Sequence, residues 1–221
     1  NRVPDVTLLI DAMAERFGGI DTDGVAVVGH SFGAMTAIGS VAGWAGAAPD
    51  PRVAAIVAVS AVIDGDLQAS DRSGPNAGFS TEQLSGLGVP VLLIGGTEDV
   101  NVPIANNDLA VQQLTSAPAV DKVAIAGATH NHFAAICTFG ELLFDLGLTQ
   151  EQWPDVGAAD LVEPDASTCG PVAFPIDEAV RLQNLYTVAF LQRHQVGDEG
   201  YGAFLTEEHA QAEPSVAFES R

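Results

Sequence analysis

VAVVGHSFGAMTA, residues Val25 to Ala37, sets a short apolar run against a run of small residues, with Gly29-His30-Ser31-Phe32-Gly33 at the junction. Val25 to Val28 is apolar without alternation, the pattern of a strand buried on both faces. Phe32 to Trp44 continues as a small-residue helix. A serine in a tight strand-to-helix turn projects its Oγ above the sheet, and the following N–H lies at a helix N-terminus, where negative charge is favoured. The plainer alternative is a structural turn with an inert serine.

The same rhythm extends along the chain. Upstream, Val6, Leu9, Ile10, Met13 and Phe17 fall at helical spacing, and Gly18-Gly19 ends that helix before a turn at Asp21 to Gly24. Downstream, Arg52 to Ser60, Val89 to Gly96 and Lys122 to Ala126 read as further buried strands. Between them come a polar excursion (Asp64 to Gly78), a short helical piece at Thr81 to Leu84, and a helix from Ile104 to Leu114. Apolar strands separated by helices predict an α/β fold with a parallel sheet covered on both faces.

Phe133 to Pro175 reads as a long excursion with one helix near Phe139 to Leu146, followed by a final helix from Ile176 to about Gln192. That helix places Ala179, Leu182, Leu185, Val188, Ala189 and Leu191 at core-compatible spacing, and the tail after Gly200 reads as a peripheral cover. With no internal repeat or linker, residues 1–221 are expected to form a single domain.

Composition narrows the partners. Eight basic residues, Lys122 the only lysine among them, face 29 acidic ones for a formal charge of −21. Such a field repels phosphate, which argues against nucleic acid and anionic membrane. The longest apolar runs fall well short of the ~18 residues a membrane span needs. Cys137 and Cys169 stand 32 positions apart, without the CxxC or His/Cys clustering that suggests zinc. They are either unpaired core thiols or a disulfide across the excursion; the loop-rich segment between them favours the disulfide, and with it a secreted or periplasmic setting.

A serine hydroxyl needs a base and a carboxylate that orients it. Asp99 stands at a loop tip after the third strand, and His130 and His132 follow the fourth. Ser31, Asp99 and His130 thus each follow the carboxyl end of a different strand, in the order serine, acid, histidine.

In these residues the sequence resembles the α/β-hydrolase superfamily, and more narrowly the dienelactone hydrolase-like and platelet-activating-factor acetylhydrolase-like serine esterases; secreted polyester-degrading enzymes share the layout. The resemblance rests on RVPDVTLLIDAM (from Arg2), VAVVGHSFGAMTA, VPVLLIGGTEDVNVP (from Val89), GATHNHF (from Gly127) and the closing NLYTVAFLQRH (from Asn184). It implies Ser31 as nucleophile, Asp99 as orienting acid, His130 as base and the Phe32 amide as an oxyanion donor, acting on small-molecule or polymeric esters with no metal or organic cofactor. His130 is preferred to His132 because it comes first after the strand and fits H-x-x-F with Phe133; His132 then packs beside the site or binds substrate. Some acetylhydrolase-like members carry the acid one strand earlier, where Asp64 lies, but the G-T-x-D loop of Asp99 matches the commoner pattern.

A complete sheet of that family has about eight strands, and the four found here resemble strands five to eight. The N-terminal strands, and with them a second oxyanion donor, are therefore expected outside this sequence, in an N-terminal segment that completes the sheet. The rival reading is a catalytically silent hydrolase-like chain serving as a binding or assembly module; acyl transfer or polyester cleavage on the same residues is a further alternative.

Overall fold

The computed structural model describes residues 2–67 and 77–221, so most of the predicted excursion from Asp64 to Gly78 lies outside the described residues. Helix α1 (Val3–Arg16) leads to β1 (Val25–His30), α2 (Phe32–Ala42) and β2 (Val53–Val59). Then come α3 (Thr81–Ser85), β3 (Val91–Gly96), α4 (Ala105–Gln113) and β4 (Val120–Ile125). Beyond β4 follow α5 (Ile136–Asp145), α6 (Val162–Thr168), α7 (Ile176–Leu191), α8 (Glu207–Ala210) and β5 (Val216–Ser220).

The strands form one five-stranded sheet in the order β1-β2-β3-β4-β5. The first four are parallel, and β5 returns antiparallel along β4. Register aligns their carboxyl ends, pairing His30 with Val59, Val59 with Ile94, and Gly96 with Ile125. The loops after β1, β3 and β4 therefore open on one edge of the molecule.

Alternate residues of the central strands feed two cores. Ile56, Ala58, Val91 and Leu93 pack with Ile10, Ala34, Ile38, Leu84 and Ala110 of helices α1 to α4. Ala55, Val57, Val59, Leu92 and Ile94 face Leu182, Tyr186, Ala189 and Phe190 of α7. Because β2 and β3 are buried on both sides, they read as continuous apolar runs.

Three sequence expectations need correction. The tail does more than cover the sheet, since its last residues form β5, where Phe218 stacks on Tyr186 with ring centroids 5.9 Å apart. Register sets Lys122 opposite Glu219, and the pair forms a salt bridge of 2.6 Å. The excursion from Phe133 to Pro175 holds two α-helices, α5 and α6, rather than one. On α7 the buried stripe is Ala179, Leu182, Tyr186, Ala189 and Phe190, while Val188 is 50% exposed. At ~100° per residue, Val188 lies about half a turn away from Ala179.

Among the described residues β1 is paired on one side only, with β2. Its Val28 is 47% exposed, and Leu9, Met13 and Ile20 add further apolar surface beside it. No helix among the described residues is long and apolar enough to cross a membrane.

Candidate active site

Ser31 occupies a strained turn. Its φ of 56° is positive, which costs a non-glycine residue ~1 to 2 kcal/mol and persists only where the surroundings enforce it. They do so through hydrogen bonds: the Ser31 N–H donates to the Val59 carbonyl at 2.8 Å, and the Ser31 carbonyl accepts from Ala34 and Met35 at the start of α2. Gly29 makes the close approach possible, because a Cβ there would sit 2.2 Å from the Gly33 carbonyl group. Gly33 itself is under no such constraint, since a Cβ there meets nothing within 4 Å, so of the two glycines flanking the serine only Gly29 is required by space. Phe32 opens α2, which puts its N–H among those a helix leaves without an intrahelical acceptor.

Asp99 and His130 come together directly. Asp99 Oδ2 lies 2.8 Å from His130 Nδ1, and Asp99 Oδ1 accepts from the Asn101 and Val102 N–H groups at 2.9 and 2.7 Å. Asp99 is buried, 3% exposed. Burial pushes its pKa up, but the His130 hydrogen bond, the Val102 N–H and the charge of a protonated His130, with a smaller contribution from the nearby Ser60 hydroxyl, outweigh burial and hold the carboxyl below its ordinary value. A carboxylate only accepts, so His130 Nδ1 carries a proton toward it, and in the neutral imidazole Nε2 is left with the lone pair.

The serine turn reaches this pair through His30. The His30 and His130 rings lie 4.5 Å apart, and Phe133 stands 6.2 Å from His30. Burial, with the neighbouring His130 adding to it, lowers the His30 pKa from 6.5 to about 4. The ring is therefore neutral at physiological pH. Its Nε2 is buried without a hydrogen-bond partner.

His132 stands elsewhere. It is fully buried, its Nδ1 meets the Thr129 N–H at 2.9 Å and Oγ1 at 2.8 Å, and its Nε2 meets the Phe174 carbonyl at 2.9 Å. Asp64 uses its carboxylate locally, accepting from the Asp66 N–H at 2.9 Å, while its own N–H donates to Asn106 Oδ1 at 3.1 Å. Cys137 and Cys169 form a disulfide that closes the excursion after the His130 turn. Among the described residues no group of three His, Cys, Asp or Glu gathers that could hold a metal.

Sequence reasoning passed over Ser60. It directly follows β2, between the serine and aspartate loops, with φ 51° and 1% exposure. Its hydroxyl faces Asp99 closely enough to contribute to the lowered pKa, although it lies outside ordinary hydrogen-bond geometry. The available signal was a polar residue closing an otherwise apolar strand, the position Ser31 holds relative to β1.

The α/β fold, with its mostly parallel five-stranded sheet, matches part of the α/β-hydrolase fold. The acylaminoacyl peptidase of Pyrococcus horikoshii is similar at a TM-score of 0.50 and 14% identity, over 64% of this chain and 27% of that one. Dipeptidyl peptidase 4 of Porphyromonas gingivalis follows at 0.48 and 19% identity, over 65% of this chain and 22% of that one. An esterase of Pyrococcus furiosus gives 0.46 and 18% identity, over 64% and 57%. The matched part of this chain thus spans less than two thirds of each of them. No protein-family model and no curated protein sequence matches the chain.

Proposed function

We propose that the chain carries the reacting residues of a serine hydrolase acting on carboxylic esters, small or polymeric. The observation that carries this reading is the 2.8 Å contact between Asp99 and His130 Nδ1, with His30, which precedes the serine held at positive φ, packed 4.5 Å from the His130 ring. In the reaction, His130 Nε2 takes the Ser31 hydroxyl proton as Oγ attacks the ester carbonyl. The Phe32 N–H stabilises the resulting oxyanion. The tetrahedral intermediate collapses, the C–O bond to the alcohol breaks, and His130 returns the proton to the departing alkoxide. Water, deprotonated by His130, then attacks the acyl-serine; the acyl C–Oγ bond breaks, His130 returns the proton to Ser31 Oγ, and the acid leaves. Asp99 holds the imidazole in the tautomer that accepts from serine. Acyl transfer replaces that water with another hydroxyl.

The exposed edge of β1 supports a second element of this reading. On this reading a further strand pairs with β1 and brings the second oxyanion donor. Unpaired apolar edges are otherwise prone to unwanted strand addition. The same edge is the observation that favours the rival reading of a catalytically silent assembly module. The disulfide supports an extracytoplasmic location.

A fluorophosphonate probe separates the two readings. Covalent modification mapped to Ser31, and lost in His130→Ala, is the expected result for the hydrolase. Absence of labelling in a complete, folded preparation would overturn the hydrolase reading and favour the silent module.

A further inference from the structure

His132 is fully buried two residues from His130, yet nothing in the proposed reaction uses it. Its hydrogen bonds fix its protonation. Nδ1 is approached by the Thr129 N–H, so it must be an acceptor; Nε2 faces the Phe174 carbonyl, so it must be the donor. The imidazole is therefore a neutral bridge between two segments 42 residues apart. On one side is the short turn His130–Phe133. On the other is Phe174, whose ring lies over Gly127, close to where a Cβ would stand, and 5.9 Å from the His132 ring.

The two segments are the ends of one excursion. Cys137 follows the turn by four residues, Cys169 precedes Phe174 by five, and the disulfide joins them. A covalent tie and a buried hydrogen bond thus close the same loop at its base. Of the two, the His132 bond acts on the turn that presents His130 to Asp99.

We infer that His132 is a positioning residue, which locks the His130 turn to Phe174 and so holds the His130 ring at hydrogen-bond distance from Asp99. The inference rests on the hydrolase reading for its kinetic consequence, but its geometric content stands apart from turnover. Misplacing a reacting group by about 1 Å costs on the order of 10²-fold in rate.

The test compares wild type with His132→Ala, His132→Gln and Thr129→Val. Gln offers an amide that can donate to Phe174 and accept from Thr129; Val removes the hydroxyl, and with it both its contact to the His132 ring and its cap on the turn, while keeping the Thr129 N–H, a change expected to leave the protein folded. The readouts are kcat and KM on a chromogenic ester and the low-field NMR resonance of the His130 Nδ1 proton. The expected result for His132→Ala is a kcat lower by about 10²-fold with little change in KM, and a shifted or broadened resonance. His132→Gln is expected to regain about tenfold of that loss, and Thr129→Val to lose a few-fold in kcat with a smaller resonance shift. An unchanged resonance and kcat in both His132→Gln and Thr129→Val, with a folded His132→Ala as active as wild type or one that does not fold, would overturn the inference. If wild type shows neither hydrolysis nor fluorophosphonate labelling, the hydrolase reading fails, and the resonance comparison still decides what His132 does.

Discussion

Replacing Asp99 with asparagine probes the site at its most constrained point. Asp99 Oδ1 is fixed by two backbone donors, the Asn101 and Val102 N–H groups at 2.9 and 2.7 Å. An asparagine must keep its oxygen there, which turns its NH2 toward His130 Nδ1. Two donors cannot share that contact, so His130 takes the tautomer with its proton on Nε2 and loses the lone pair that, in the proposed reaction, accepts the Ser31 proton. The fold survives, because the replacement is isosteric and both backbone bonds remain. A triad with a correctly placed imidazole in the wrong tautomer loses about 10⁴-fold in kcat, or about 5 kcal/mol of transition-state stabilisation. The assay is steady-state hydrolysis of a p-nitrophenyl ester, alongside the rate of fluorophosphonate labelling at Ser31. Asp64→Asn serves as the comparison, since that carboxylate caps its own turn, and it should hydrolyse and label as wild type does. A folded Asp99→Asn protein with kcat within about tenfold of wild type would refute the assignment of Asp99.

Two further substitutions test the turn and the excursion. Gly29→Ala places a methyl group 2.2 Å from the Gly33 carbonyl and should cost about 3 kcal/mol or more in urea unfolding, whereas Gly33→Ala, with open space at its Cβ, should stay within ~0.5 kcal/mol. Cys137→Ser with Cys169→Ser opens a loop spanning 32 positions, which should lower the unfolding free energy by ~3 to 4 kcal/mol, and a reducing agent should lower the wild-type transition by the same amount.

What was legible in the sequence follows from how each element is buried. The parallel strands are covered on both faces, so Val53 to Val59 and Val91 to Gly96 announce themselves as unbroken apolar runs. The antiparallel β5 lies at the sheet edge with only Val216 and Phe218 turned partly inward, and five residues of weak alternation do not stand out in a polar tail. Helix α6 carries Pro164 in its first turn and two acidic residues beside it, which masks any apolar stripe; its place is set by the disulfide at Cys169.

The positions of Ser31, Asp99 and His130 were legible for a related reason: each directly follows the carboxyl end of a strand or the short loop after it, and in a parallel sheet those ends converge. Residues that act through contacts distant in sequence left no such mark. Nothing in GATHNHF tells that the second histidine bonds to a carbonyl 42 residues later, or that Ser60 turns back toward Asp99. The strain at Ser31 and Ser60, with φ 56° and 51°, was equally invisible, because it arises from neighbouring strands: the Ser31 N–H is held by Val59 and the Ser60 N–H by Ile94. Both serines are thus bent by the strand beside them. The register of the sheet, more than the glycines of the pentapeptide, therefore sets where the hydroxyl of Ser31 points, and a substitution that slips β1 against β2 should disarm the site without touching it.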